Sequence, residues 1–372
     1  MAGAPPPPKL GVRLTSILDL PARIEALGGP MRERADRLVS ARVVHGRTEP
    51  PAELESWVVD TFGSVAAVRD QALVKVSNPA TLESTIFAPL RARRPLDGDA
   101  RPQRLADEIS ATDGDPFCHP HTGTPAEPFG RVSGQRLVTG ANAAMADAHH
   151  AVLVFDRHDP LAFDADLVHD LVDTARAWAD RSRAEDPSAV NYLLIWNCLW
   201  RAGGSIVHGH AQALLGTGAH YEKLERLRRD VADYRVQHGE DLVEDLVAVH
   251  RSLGLVVDIA DGVSLLANLT PRKERELMLV GSAGMEETDA RFAGALGRVL
   301  ELYRDRVGVR SFNLALWRPP LGVTEGWEGI PPMARVVDRG DPFARPSDIG
   351  AMELYGTPIV SSDPFTLIEQ LR

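Results

Sequence analysis

The chain has very little cysteine: among 372 residues there are only Cys118 and Cys198. Two distant cysteines make no disulfide framework, so a small stapled extracellular scaffold is excluded and a reducing cytoplasm is expected. No apolar run approaches the roughly 20 residues that span a bilayer, so no membrane partner is expected. Positive charge is also short: 41 Lys and Arg face 52 Asp and Glu, a formal net charge of -11. That balance argues against nucleic acid or an anionic membrane surface as a partner. Any phosphate site must then be local, built from a few arginines or backbone N–H groups. The opening "MAGAPPPPKL" lacks the apolar core of a signal peptide and reads as a disordered tail.

What is present is the composition of a globular protein, 44% apolar and 25% charged. The length admits one large domain, two ordinary ones or a duplicated unit. Residues 10–80 read as helices with short strands. From about residue 81 the texture becomes rich in Pro and Arg ("ESTIFAPLRARRPLDGDARPQ"). A strand, a turn, a second strand and a helix starting at Asp164 follow. The same order returns in "GVSLLANLTPRKERELMLVG", "EETDARFAGALGRVLELYRDRV" and "RSFNLALWRPP", and Asn191 and Asn313 take corresponding places. This points to a duplicated α+β unit, with antiparallel sheets and with residues 165–183 and 285–306 as equivalent helices. The bland alternative is a pair of unrelated αβ segments. The expected division is a tail and mostly helical extension over 1–80, a first half over 81–225 and a second half over 226–372.

Between Trp196 and Gly216 the chain reads "WNCLWRAGGSIVHGHAQALLG". Strand alternation puts His208, His210 and Gln212 on one face. Neutral imidazole attacks phosphorus well, and the resulting phosphoramidate is itself reactive, so one transfer splits into two easier ones. The attacking nitrogen works best when an acceptor holds the proton on the other ring nitrogen. A carboxamide donates to a phosphate oxygen but is neither acid nor base at neutral pH. Gly203, Gly204 and Ser205 offer a turn whose N–H groups and hydroxyl suit a phosphate. A lone His-x-His is more often surface decoration or half of a metal site.

The full pattern, Asn197-x5-Gly203-x-Ser205-x2-His208-x-His210-x-Gln212, resembles the signature of the galactose-1-phosphate uridylyltransferase family, a branch of the histidine-triad superfamily. That family has proline where Gly209 stands. The resemblance implies a duplicated histidine-triad fold and makes His210 the residue that becomes nucleotidylated. Gln212 becomes the phosphate contact, in place of the third histidine of the hydrolases. "FAPLRARRP" is similar to the family's arginine segment, which makes Arg91 and Arg94 phosphate contacts. Asn197, Gly203 and Gly204 join the substrate site, and Glu353, in "DIGAMELYGTPI", is matched to a sugar-side contact.

The resemblance also implies a structural zinc ion. The family's ligands fall on Asp115 (a cysteine in the family), Cys118, His158 and His208, an allowed tetrahedral set. The bland alternative is a metal-free site held by hydrogen bonds, and His119 and His121 lie near enough to substitute. No second metal is expected, because "GWEGIPP" stands where some members carry a second His-x-His. The function implied is transfer of a nucleoside monophosphate between a nucleotide sugar and a sugar phosphate or phosphate. Related readings are an ADP-glucose or dinucleoside-polyphosphate phosphorylase, and a nucleotide-binding protein without turnover. Small molecules are the expected partners, and a homodimer is compatible with the resemblance.

Overall fold

A computed structural model describes residues 15–94, 102–345 and 349–372. The opening proline tail, and residues 95–101 of the arginine-rich segment, lie outside the described residues. The strands are β1 (Ser40–Arg47), β2 (Asp70–Ser77), β3 (Ser84–Phe87), β4 (Leu137–Ala141), β5 (His149–Phe155), β6 (Ala189–Cys198), β7 (His210–Thr217), β8 (Val256–Ala260), β9 (Val263–Ala267), β10 (Glu274–Val280), β11 (Phe312–Trp317), β12 (Met333–Asp338) and β13 (Ile359–Val360).

The expected duplication is visible in the strand order. The large sheet runs β4-β5-β7-β6-β11-β12-β10-β9-β8. Reading inward from each side, β4-β5-β7-β6 and β9-β10-β12-β11 are the same motif, and β8 is an addition at one edge. The halves meet edge to edge where β6 pairs antiparallel with β11. Leu194 faces Leu316 there. These two are separated in sequence by the same offset as Asn191 and Asn313, so equivalent residues face each other, as a pseudo-twofold requires. The two half-sheets are therefore one continuous surface.

The equivalent helices of the two halves, Ala165–Glu185 and Ala290–Asp305, pack on one another. The first starts where expected, with the Asp164 carboxylate accepting from the Leu167 N–H at 2.8 Å. The second starts later than 285, because Asp289 is its N-cap. A Cβ added at Gly297 would lie 2.6 Å from the Ala165 Cα, so glycine is what lets the two helix backbones approach.

Burial alternates along β6. Tyr192, Leu194, Trp196 and Cys198 are buried, whereas Leu193, Ile195 and Asn197 are half-buried. One face of the sheet thus joins the helical core, at about 1.5–3 kcal/mol per large apolar side chain buried. The other face is left for polar chemistry.

Between residues 15 and 80 the helices Leu20–Glu25, Gly29–Leu38, Glu55–Phe62 and Val65–Arg69 accompany two short strands, helices with short strands as expected. β1 and β2 form an antiparallel pair, β3 extends it, and β13 from the C-terminal end adds a parallel strand to make a four-stranded sheet. The expected boundary after residue 225 falls inside the helix Glu222–His238. Among the described residues no helix is long and apolar enough to cross a membrane.

Candidate active site and metal centre

The strand expected to carry three aligned side chains begins only at His210. His210 and Gln212 share its outer face. His208 lies before the strand and turns toward Cys118 and His158 instead. Ile195 pairs with Gln212 across β6 and β7, so two further steps of that register put Asn197 beside His210.

His210 is 6% exposed and stands edge-on to Phe117, with ring centroids 4.9 Å apart. Its Nδ1 lies 2.8 Å from the His208 carbonyl oxygen. A carbonyl only accepts, so Nδ1 carries the proton and Nε2 keeps a bare lone pair. Burial holds its pKa below the ordinary histidine value. The ring is thus neutral, with one nucleophilic nitrogen of fixed identity.

Behind it, the chain between β6 and β7 is strained. Leu199 takes φ +68°, a region that glycine normally occupies, and is held there by burial. Gly203 follows at φ +93°. Gly204 has no room for a side chain, since a Cβ would sit 2.8 Å from the Asn197 carbonyl oxygen. Ser205 is exposed on this turn. The second half braces it: the Trp200 indole N–H donates to the Pro342 carbonyl at 2.7 Å, and Arg201 donates to the carbonyls of Arg339 and Ala344.

Gly209, the departure from the family signature, has a local cause. Its N–H donates to the His158 carbonyl at 2.9 Å, which proline cannot do. A Cβ there would lie 2.8 Å from Phe155 Cδ2 and 3.1 Å from the Arg157 carbonyl oxygen. Gly209→Ala is therefore expected to lower stability by about 1–3 kcal/mol. Gly209→Pro should cost more, because it also removes the donor. Urea midpoints measured at an unchanged m-value check this; an alanine variant as stable as the parent would refute the crowding.

Asp115, Cys118, His158 and His208 converge, with their ligand atoms all within 4.8 Å of one another. Cys118 Sγ is 3.3 Å from His158 Nδ1 and 3.4 Å from His208 Nδ1, and the two Nδ1 atoms are 3.2 Å apart. The outer nitrogens decide what this means. His208 Nε2–H donates to the Phe155 carbonyl at 2.9 Å, and His158 Nε2–H to the Ile109 carbonyl at 3.0 Å. Both Nδ1 atoms are then unprotonated, and their lone pairs face one another beside a sulfur. Neutral groups alone leave that contact repulsive, and a cation relieves it. A tetrahedral ion at zinc bond lengths holds its ligands roughly 3.3–3.8 Å apart, close to what is seen. Carbonyl acceptors on the outer nitrogens are also the usual way a ligating histidine is oriented.

Asp115 has a second task. Its Oδ1 accepts from the N–H groups of Phe117 and Cys118, capping the turn that carries the cysteine, and its Oδ2 accepts from the His208 N–H at 3.2 Å. That uses about three of its four lone-pair sites and leaves one for a metal. Burial pushes the Cys118 thiol pKa up, and a bound cation would pull it down. Neither His119 nor His121 belongs to this group of ligand atoms.

Arg91, Arg94 and Glu353 lie together, but not around His210. They line a cleft of about 870 Å³ with Arg201, Lys273 and Arg339, at the end of the sheet where β11 begins and β12 stops. Burial, then the neighbouring charge of Arg94, lowers the Arg91 pKa. Glu353 pairs with Lys273 at 3.0 Å. The cleft is tied to the histidine strand by side chains: Arg339 donates to Asn313 Oδ1, and Asn313 Nδ2 donates to Asn197 Oδ1 at 2.7 Å.

The sequence reading missed three contacts. His150 lies with Nε2 2.8 Å from Gln212 Oε1. Asn313 faces Asn197 directly across the β6–β11 seam. Phe117 packs on the His210 ring. No local pattern announces them, because each partner comes from a distant strand or turn.

Neither a protein-family model nor a curated protein sequence matches the chain. Solved structures do. An ADP-glucose phosphorylase from Arabidopsis thaliana with bound ADP-glucose matches over 81% of this chain and 98% of its own, at TM-score 0.61 and 18% identity. A GalT-like protein from Arabidopsis thaliana matches over 80% and 97%, at TM-score 0.59 and 17% identity. A uridylyltransferase matches over 67% and 87%, at TM-score 0.54 and 14% identity. The chain thus has the duplicated α+β fold of this ADP-glucose phosphorylase and this uridylyltransferase, the fold that the pattern around His210 led one to expect.

Proposed function

We propose that this protein is a nucleotidyltransferase working by double displacement at His210. Nε2 of His210 attacks the α-phosphorus of a nucleotide sugar or related diphosphate. The N–P bond forms as the bond to the sugar-phosphate oxygen breaks, and the sugar phosphate leaves. An oxygen of an acceptor phosphate then attacks the same phosphorus and releases His210. Gln212 and Ser205 donate to the phosphoryl oxygens, where charge builds in each transition state. The cleft of Arg91, Arg94 and Glu353 receives the outer phosphate and the sugar: planar guanidinium forks suit phosphate, and a carboxylate suits hydroxyl groups.

The observation that carries this reading is the 2.8 Å contact from His210 Nδ1 to the His208 carbonyl, which leaves Nε2 as a free nucleophile. Asp115, Cys118, His158 and His208 would hold zinc, and the ion would pin the Cys118 turn to the segment before β7. His208 then has two duties: its ring serves the metal and its carbonyl serves His210.

The test is to incubate the protein with UDP-glucose, ADP-glucose and a diadenosine polyphosphate and to record intact mass. One bound nucleoside monophosphate is expected, lost on adding a sugar phosphate or phosphate, and its mass distinguishes uridine from adenine. Tight binding with no adduct from any of these donors would favour the non-catalytic reading instead.

A further inference from the structure

Both carboxamides of the signature are held by their oxygens. His150 Nδ1 accepts from the Ala146 backbone N–H at 3.1 Å. A backbone N–H only donates, so Nδ1 is bare and the His150 proton sits on Nε2. That Nε2–H donates to Gln212 Oε1 at 2.8 Å, the shorter of its two contacts; the Asn142 Nδ2, 3.3 Å from the same nitrogen, finds no acceptor there. The Gln212 oxygen is thereby occupied, and its NH₂ group must point elsewhere.

Asn313 does the same for Asn197. The Ala202 carbonyl lies 2.8 Å from Asn313 Nδ2, and Arg339 donates to Asn313 Oδ1. Groups of known polarity at both ends decide which way this amide faces. The second Asn313 N–H donates to Asn197 Oδ1 at 2.7 Å. The Asn197 oxygen is occupied in turn.

From this geometry we infer that His150 and Asn313 are positioning residues that fix the amide orientation of Gln212 and Asn197, so that both NH₂ groups are presented on the sheet face beside His210. One clamp comes from each half of the duplication, which gives the half without a nucleophile a part in the site. The chemistry served is a phosphoryl group, which offers only acceptors. A flipped amide would turn its oxygen toward those anionic oxygens and repel them. The inference rests on His210 being the nucleophile for its kinetic consequence, but not for the hydrogen-bond polarity itself.

The experiment has two arms. In the kinetic arm, single-turnover adduct formation is measured for His150→Ala, Gln212→Ala and the double variant. Loss of one oxyanion donor costs about 10²–10³-fold. Gln212→Ala should show that loss, and His150→Ala a loss of about 10–100-fold in the rate constant with little change in substrate affinity. In the double variant, His150→Ala should add nothing, because it acts only through Gln212. His150→Gln, whose amide nitrogen can donate to the same oxygen, should restore most of the rate. Asn313→Asp, nearly isosteric but without the donor, should slow adduct formation at an unchanged fold. Additive losses in the double variant, or no rescue by His150→Gln, would overturn the positioning role.

The second arm needs no turnover. The ¹⁵N signals of the His150 ring, assigned by their loss in His150→Ala, should report a protonated Nε2 and a bare Nδ1. A proton on Nδ1 would overturn the inference even for an active protein. Wild-type protein that forms no adduct yet shows the Nε2–H tautomer would instead refute the nucleotidyltransferase reading and leave the amide clamp standing.

Discussion

His210→Gly should abolish covalent nucleotidylation, with a loss on the order of 10⁴–10⁶ in the rate of adduct formation, while the circular dichroism spectrum stays that of the parent. The size follows from the role: removing a covalent nucleophile removes the pathway, not one contact within it. The preserved fold follows from where the ring sits. His210 lies on the sheet face opposite the packed helices. Its polar contact is to the carbonyl of His208, two residues away, and its ring contact is to Phe117. Truncation leaves a small void at the edge of the core, costing on the order of 2 kcal/mol, a lowered melting temperature rather than unfolding. Intact mass after a single turnover, at a temperature where both proteins are folded, is the decisive measurement. A wild-type adduct should be acid-labile and stable in base, as a phosphoramidate is. If His210→Gly is labelled at the parent rate, the nucleophile lies elsewhere and the double-displacement reading falls with it.

Purified protein should contain about one zinc per chain, and Cys118→Ala should lose it together with several degrees of thermal stability. The argument is the unrelieved meeting of lone pairs at His158 and His208, 3.2 Å apart with Cys118 Sγ beside them. A ligand that binds only the folded state stabilises it by RT ln(1 + [L]/Kd), about 4 kcal/mol at a thousandfold excess over Kd. The site ties the segment before β7 to the turn at Cys118 and to the stretch after β5, so its loss loosens the backbone on which His210 leans. Elemental analysis and melting curves with and without a chelator read this directly, without reference to activity. A zinc-free preparation whose melting point ignores both chelator and added zinc would show that hydrogen bonds alone hold the cluster. The carboxylate of Asp115 bears on the affinity. It is a harder ligand than thiolate and already accepts three backbone bonds, so weaker binding than by a set with two cysteines is expected.

Much of this is legible in the amino-acid sequence. Asp164 was read as a helix start, and its carboxylate does cap the Ala165–Glu185 helix, because capping depends on a residue type three positions from its N–H partner. The repeat was legible because the same hydrophobic periods recur in the same order. The convergence of Asp115, Cys118, His158 and His208 was legible only through resemblance: nothing local joins Asp115 to His208, yet they meet. The pairing of the short N-terminal strands was not legible, for a related reason. β1, β2 and β3 form a sheet completed by β13 from the opposite end of the chain, and a strand whose partners are distant carries a weak local signal.

The amino-acid sequence alone settled which groups are available: one strand carrying an imidazole and a carboxamide in alternation, a glycine turn before it, and two copies of one α+β unit. Those follow from spacing along the chain, where periods of 2 and 3.6 residues assign faces without knowledge of the fold. Tertiary structure alone decided which atom of each group faces which way. The direction of His208 away from His210, the proton on His210 Nδ1, the edge-to-edge seam of β6 and β11 and the amide orientations of Asn197 and Gln212 all depend on partners from other strands and turns. A hydrogen bond is set by position in space, and strand register, which places those partners, is a property of the assembled sheet rather than of any one segment.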